Sequence, residues 1–115
     1  MIAFLSRLLR RSSPGFEWLD GAELRRRLAS GTAPIVIDVR APEEFTGPLG
    51  HIPEAVNIPL DELPARRPEL AAAHRPLVFV CLTDKRSAQA AALLGEAGVA
   101  PAAVLRGGMR EWRSD

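Results

Sequence analysis

The sequence has a single cysteine, Cys81, no tyrosine, and an aromatic content of only 5% over 115 residues. A lone cysteine forms no internal disulfide, which makes a reducing compartment, and so the cytoplasm, the default location. One cysteine and two histidines without close spacing do not supply a structural zinc site, and nothing in the pattern calls for a metal or an organic cofactor. Neither sign of charge is in excess: 15 Lys and Arg face 14 Asp and Glu, for a net charge of +1. The clustered basic field of a nucleic-acid binder is therefore missing. No apolar run approaches the roughly 20 residues of a membrane-spanning helix. What remains is a 47% hydrophobic chain of the size of one globular domain with a modest core.

Residues 1–15 stand apart from the rest, with Arg7, Arg10 and Arg11, no acid, and apolar residues gathered before the basic end. A secretory signal has the opposite polarity and a small-residue cleavage site. A transit peptide or an amphipathic helix is compatible with this composition, and residues 1–12 would then contact a membrane or a partner. A loosely packed terminal turn is the favoured reading. Ser12-Ser13-Pro14-Gly15 reads as a linker, leaving 16–115 as one domain.

Within that domain, strands alternate with helices. Phe16 to Leu19 reads as a short edge strand, and Asp20 as an N-cap with Glu23 completing a capping box for helix 21–29. The arginine run Arg25-Arg26-Arg27 reads as a solvated face. Pro34 to Arg40 is the apolar run of a parallel strand covered on both faces. Pro42 opens a short helix, and Ala55 to Pro59 gives a short strand. The helical turn from Leu60 is expected to break at Pro64 and Pro68, with a further turn over Glu69 to His74. Leu77 to Val80 is a buried strand, and helix 87–97 follows, capped by Ser87 and closed by Gly98. Ala102 to Leu105 is the last strand, and a short terminal helix follows Gly107-Gly108. The class is α/β with a mainly parallel sheet, whose ligands sit at the carboxyl ends of the strands.

Cys81-Leu82-Thr83-Asp84-Lys85-Arg86-Ser87 lies at such an end. It joins Leu77–Val80, expected to be central, to the helix former Ala88–Leu94. The first backbone N–H groups of a helix lack internal partners and carry the positive dipole end. Together with Lys85 and Arg86 they favour an anionic sulfur. The alternative is that Cys81 is a small buried hydrophobe. The polar residues that follow it weigh against that. Arg40, at the end of another strand, is a candidate for the same rim.

Asp38-Val39-Arg40, Pro42-Glu43-Glu44-Phe45, Gly50 to Pro59, the Cys81–Ser87 loop, and Leu105 to Met109 with Trp112 together resemble the rhodanese domain, in its order and spacing, over about residues 16–113. The resemblance implies a three-layer fold with five mainly parallel strands flanked by helices. It also implies a sulfurtransferase in which Cys81 takes a sulfur from thiosulfate or a persulfide and passes it to a thiol, cyanide or a protein acceptor. The backbone of 82–87 would stabilise the anionic sulfur, and Thr83 would add a hydroxyl. Arg86 would hold the donor or brace the loop, while Lys85 attracts the donor.

Related phosphatases place five residues between Cys and Arg, whereas only Leu82 to Lys85 intervene here, a tighter cradle. A non-catalytic interaction module of the same fold is the other reading. His51 and His74 offer a Cys–His hydrolase, but the His-Ile-Pro context of His51 looks structural. Asp38 and Glu44 are read as fold-holding partners, with Arg40 paired to Glu44. Two positions depart from the family pattern, which has glycine at both. Asp84, tolerated even at positive φ, would repel an anionic donor, so Asp84→Gly is expected to handle thiosulfate better. Glu54 reads as a surface turn change.

Overall fold

The computed structural model describes residues 15–96, 98 and 101–112; the expectations for residues 1–14 fall outside them. Five strands alternate with helices: β1 (Glu17–Leu19), α1 (Gly21–Leu28), β2 (Ile35–Asp38), α2 (Pro42–Phe45), β3 (Val56–Asn57), a 3₁₀ turn (Leu60–Glu62), α3 (Leu63–Ala72), β4 (Leu77–Val80), α4 (Lys85–Glu96), β5 (Ala102–Leu105) and α5 (Gly108–Trp112). The sheet order is β1-β5-β4-β2-β3. Every pairing is parallel, with Ile37 beside Phe79 and Phe79 beside Val104. The strand ending at Cys81 is therefore central, and the Phe16–Leu19 stretch supplies an edge.

The continuous apolar runs have a direct cause. Successive strand side chains point to opposite faces, so a strand covered on both sides has no polar positions. Leu77, Phe79 and Cys81 enter one core with Leu63 and Leu70 of α3 and Ala90, Ala91 and Leu94 of α4. Val78 and Val80 enter the other, with Leu24 of α1, Leu105 and Met109 of α5. The result is the expected three-layer α/β fold.

Capping follows the sequence at α1, where Asp20 Oδ1 accepts from the Glu23 N–H at 2.8 Å. Glu23 itself pairs with Arg26 and Arg27. Arg27 also donates to both Glu17 oxygens, at 3.0 and 2.8 Å, tying α1 to the edge strand. Arg25 lies 3.6 Å over the Trp112 ring. The arginine run is thus exposed but engaged.

Two element boundaries differ from expectation. Helix α3 runs unbroken through Pro64 and Pro68. Pro64 lies in the first turn, where its missing N–H has no acceptor anyway. Pro68 costs about 3 kcal/mol. Burial of Leu63 and Leu70, at about 1.5–3 kcal/mol each, offsets it. Helix α4 begins at Lys85, so Ser87 lies inside its first turn and does not cap it. The first bond of the turn runs from the Ala88 N–H to the Asp84 carbonyl at 2.9 Å.

Glu54 carries more than a surface change, because its φ is +71°. A side chain in the left-handed region costs about 1–2 kcal/mol, partly returned by the unfolded-state entropy of glycine. Glu54→Gly is therefore expected to raise stability by about 0.5–1 kcal/mol, read as a higher urea midpoint with unchanged slope. A lower midpoint would contradict the strain. Asp84 is not among the non-glycine residues at positive φ, which are Glu54 and His74 among the described residues. The tolerance invoked for Asp84 is therefore not needed.

Candidate active site

Strand β4 delivers Cys81 to the carboxyl edge of the sheet, and the chain turns at once into α4. Cys81 is 1% exposed, with its side chain on the α3–α4 face. Leu82, Thr83, Asp84 and Arg86 are half-buried, Lys85 is exposed and Ser87 is buried. The Ser87 Oγ has no hydrogen-bond partner among the described residues. The N–H groups at the start of α4 have no acceptor within the helix, so the loop presents donors where Cys81 ends.

The carbonyl side of the loop is held from below by the turn after β5. The Met109 N–H donates to the Cys81 carbonyl at 2.8 Å, and the Arg110 N–H to the Leu82 carbonyl at 3.0 Å. Asp84 Oδ2 accepts from the Gly107 N–H at 3.1 Å. The Asp84 carboxylate is thus a latch between the cysteine loop and the Gly107-Gly108 turn. Gly108 has φ +57°, and a Cβ there would overlap the carbonyl oxygens of Thr83 and Cys81. Sequence reasoning quoted this glycine pair as a motif but gave it no role. A Gly-Gly step one residue after a buried strand is the signal that marks a close backbone approach.

Arg86 does not reach outward. It donates to Glu44 through Nη1–Oε1 at 2.7 Å and Nη2–Oε2 at 3.0 Å, a planar fork pairing that fixes α4 to α2. The same Glu44 Oε1 accepts from the Ala41 N–H at 3.1 Å. These bonds, that from Arg86 foremost, hold the Glu44 carboxyl at about 2, well below its usual range. Glu44 in turn holds the Arg86 guanidinium above its ordinary value.

The partner expected for Glu44 was Arg40, and this is corrected. Arg40 is 1% exposed and forks onto Asp38, Nε–Oδ1 at 2.9 Å and Nη2–Oδ2 at 2.8 Å, with Nη2 also donating to the Gly50 carbonyl at 2.8 Å. It follows the carboxyl end of β2 but presents nothing to the rim. A guanidinium this deeply buried is stable only when its donors are used up, and Asp38 lies two residues away on the same backbone. Asn57 completes this substructure by donating to the Asp38 and Arg40 carbonyls, both at 3.0 Å. His51 stacks on Phe45 with centroids 3.7 Å apart, and its Nδ1–H donates to the Phe45 carbonyl at 2.9 Å. That ring is engaged in holding the α2 turn.

The depressed Glu44 carboxyl makes a pH prediction. Its contribution is present above the unfolded value of about 4.5 and is lost as pH falls toward about 2. Both side chains are about a third exposed, so screening reduces the effect to on the order of 1–2 kcal/mol. Glu44→Gln is expected to lower the urea-unfolding free energy by that amount at pH 6. The gap from the parent chain should close between pH 4.5 and 2; a gap independent of pH would contradict the pairing.

Comparison with known proteins agrees with this geometry. Residues 20–115 match the Rhodanese-like domain family. A sulfurtransferase of Allochromatium vinosum is 34% identical over 94 residues, covering 82% of this chain and 85% of that protein. The human thiosulfate:glutathione sulfurtransferase is 41% identical over 103 residues, covering 78% and 87%. The crystal structure of a rhodanese-like domain protein from Staphylococcus aureus superposes with a TM-score of 0.74 at 30% identity, covering 84% of this chain and 91% of that one. A parallel five-stranded sheet, a cysteine loop at its central carboxyl edge and this agreement along the sequence lead to one assignment: the chain belongs to the rhodanese-like domain family.

Proposed function

We propose that the chain is a sulfurtransferase working through a Cys81 persulfide. The observation that carries this reading is the position of Cys81, between the central strand and the donor-rich start of α4. In the first half-reaction the Cys81 thiolate attacks the outer sulfur of thiosulfate or a persulfide. The donor's S–S bond breaks, and its electron pair leaves with sulfite or the donor thiolate. In the second, an acceptor thiolate or cyanide takes the outer sulfur, and the electron pair of the broken bond returns to Cys81. No external oxidant or reductant is consumed.

In this reading each part of the loop has a role. Backbone N–H groups of 82–87 stabilise the anionic outer sulfur, which lies about 2 Å beyond Sγ. Thr83 adds its hydroxyl, Lys85 attracts the donor from its exposed position, and Arg86 braces the loop through Glu44. A phosphatase reading fits less well, because only Leu82 to Lys85 separate Cys81 from Arg86, one residue fewer than the loop of the related phosphatases. The burial of Cys81 favours a second reading, an interaction module that turns nothing over.

Asp84 tunes donor choice, but its latch to the Gly107 N–H changes how this is tested. Asp84→Gly removes both the charge and the latch. Asp84→Asn keeps an acceptor oxygen and removes only the charge. At about 1 kcal/mol for a charge pair near 4 Å in water, Asp84→Asn is expected to raise kcat/KM for thiosulfate about fivefold, with little change for a neutral donor. Unchanged or lower thiosulfate turnover would refute the repulsion.

A further inference from the structure

Of the polar side chains in the cysteine loop, Ser87 alone is fully buried, and its Oγ has no hydrogen-bond partner among the described residues. A buried hydroxyl left unpaired costs the fold its desolvation penalty, so one that is kept there calls for a partner. Its surroundings narrow the choice. Ser87, Ala90, Ala91 and Leu94 are buried positions of α4 at i, i+3, i+4 and i+7, one stripe facing the core shared with α3. Cys81 lies in that same core, where every other buried side chain is hydrocarbon. Helical side chains lean toward the N-terminus of their helix, which carries the Ser87 hydroxyl back toward the turn that begins at Cys81. The usual acceptor for a serine inside a helix is the carbonyl four residues back, here that of Thr83. Ser87 does not bond to it, and that carbonyl oxygen lies against Gly108 instead. The sulfur of Cys81 is the acceptor that remains.

The state of that sulfur decides whether the bond forms. A thiol sulfur is a weak acceptor, and the resting structure shows no bond to it from Ser87. A persulfide adds a second sulfur about 2 Å beyond Sγ and carries the negative charge there. Hydrogen bonds to an ionised acceptor are about twice as strong as neutral ones.

We propose that Ser87 is a further catalytic residue, whose hydroxyl donates to the charged outer sulfur of the Cys81 persulfide and is unpaired in the resting thiol. The role deepens the sulfurtransferase reading and rests on it. It gives the loop a side-chain donor beside its backbone N–H groups, on the face of α4 that looks into the core. The resting fold carries an unsatisfied donor and the loaded one satisfies it, so part of the drive toward loading resides in this hydroxyl.

Two measurements on Ser87→Ala test the role. In urea unfolding of the reduced protein, removing an unpaired buried hydroxyl is expected to leave the midpoint unchanged or to raise it. In sulfur loading at equilibrium, parent and variant are incubated with thiosulfate and sulfite in a series of ratios, and in parallel with a low-molecular-weight persulfide and its thiol. Intact mass reads the loaded fraction. The donor-to-product ratio at half loading is expected to rise about tenfold in Ser87→Ala, the loss of one hydrogen bond to a charged sulfur. Loading is not abolished, because the backbone donors are unchanged. A lower urea midpoint would mean that the hydroxyl is already paired in the resting protein, and an equal half-loading ratio that it never meets the outer sulfur. Either result overturns the role of Ser87 and leaves the sulfurtransferase reading standing. A parent protein that loads with neither donor overturns both.

Discussion

Cys81→Ser is expected to keep the fold and lose sulfur transfer to background. The thiolate is the nucleophile, and a serine hydroxyl without an adjacent base is not one. Among the described residues no histidine is hydrogen-bonded to Cys81; His51 is exposed, stacked on Phe45 and donates its Nδ1–H to the Phe45 carbonyl. The substitution places a hydroxyl where Cys81 packs with Val39, Phe79 and Ala90, at a cost of about 1–3 kcal/mol. That is small enough to leave a folded protein. Circular dichroism and the urea midpoint check the fold, and sulfite release from thiosulfate checks the chemistry. Residual transfer above background would remove Cys81 from its role.

Gly108→Ala is expected to have the largest effect on stability. The added Cβ would overlap the Thr83 and Cys81 carbonyl oxygens and lie 2.7 Å from the Leu82 carbonyl carbon, all backbone atoms, at a φ of +57°. Relief requires moving the cysteine loop away from the turn, which breaks the Met109 and Arg110 bonds to the Cys81 and Leu82 carbonyls. Overpacking and strain together amount to about 2–4 kcal/mol, or a fall in Tm of roughly 10–20 °C for a domain of this size. Gly107→Ala is the control. Its Cβ would meet only the flexible Glu111 carboxylate, and its φ is +79°. It should cost only about 1–2 kcal/mol, the left-handed penalty. Equal losses in the two variants would contradict the close approach at Gly108.

The sheet was legible because its signal is local. Ile35–Asp38, Leu77–Val80 and Ala102–Leu105 are each covered on both faces, and such runs are apolar at every position except Asp38, which is buried against Arg40. The Asp20 cap was legible for the same reason, since the bond it makes lies within three residues. What was hidden depends on contacts far apart in the chain. Pro68 reads as a breaker until the burial of Leu70 is known. Glu44 stands four residues from Arg40, a spacing that invites pairing, yet its partner is Arg86, 42 residues on. Ser87 has the chemistry of a cap but not the position, because Asp84 and Lys85 take the turn two residues earlier. The Asp84 latch to Gly107 spans 23 residues and carries no local signature at all.

The central claim, that Cys81 carries sulfur, is tested most directly by intact mass before and after incubation with thiosulfate and, separately, with a low-molecular-weight persulfide. The account predicts a gain of one sulfur atom with at least one donor, absent in Cys81→Ser and removed by an acceptor thiol. No gain with either donor in a folded protein would contradict it and leave the interaction module as the reading of this fold.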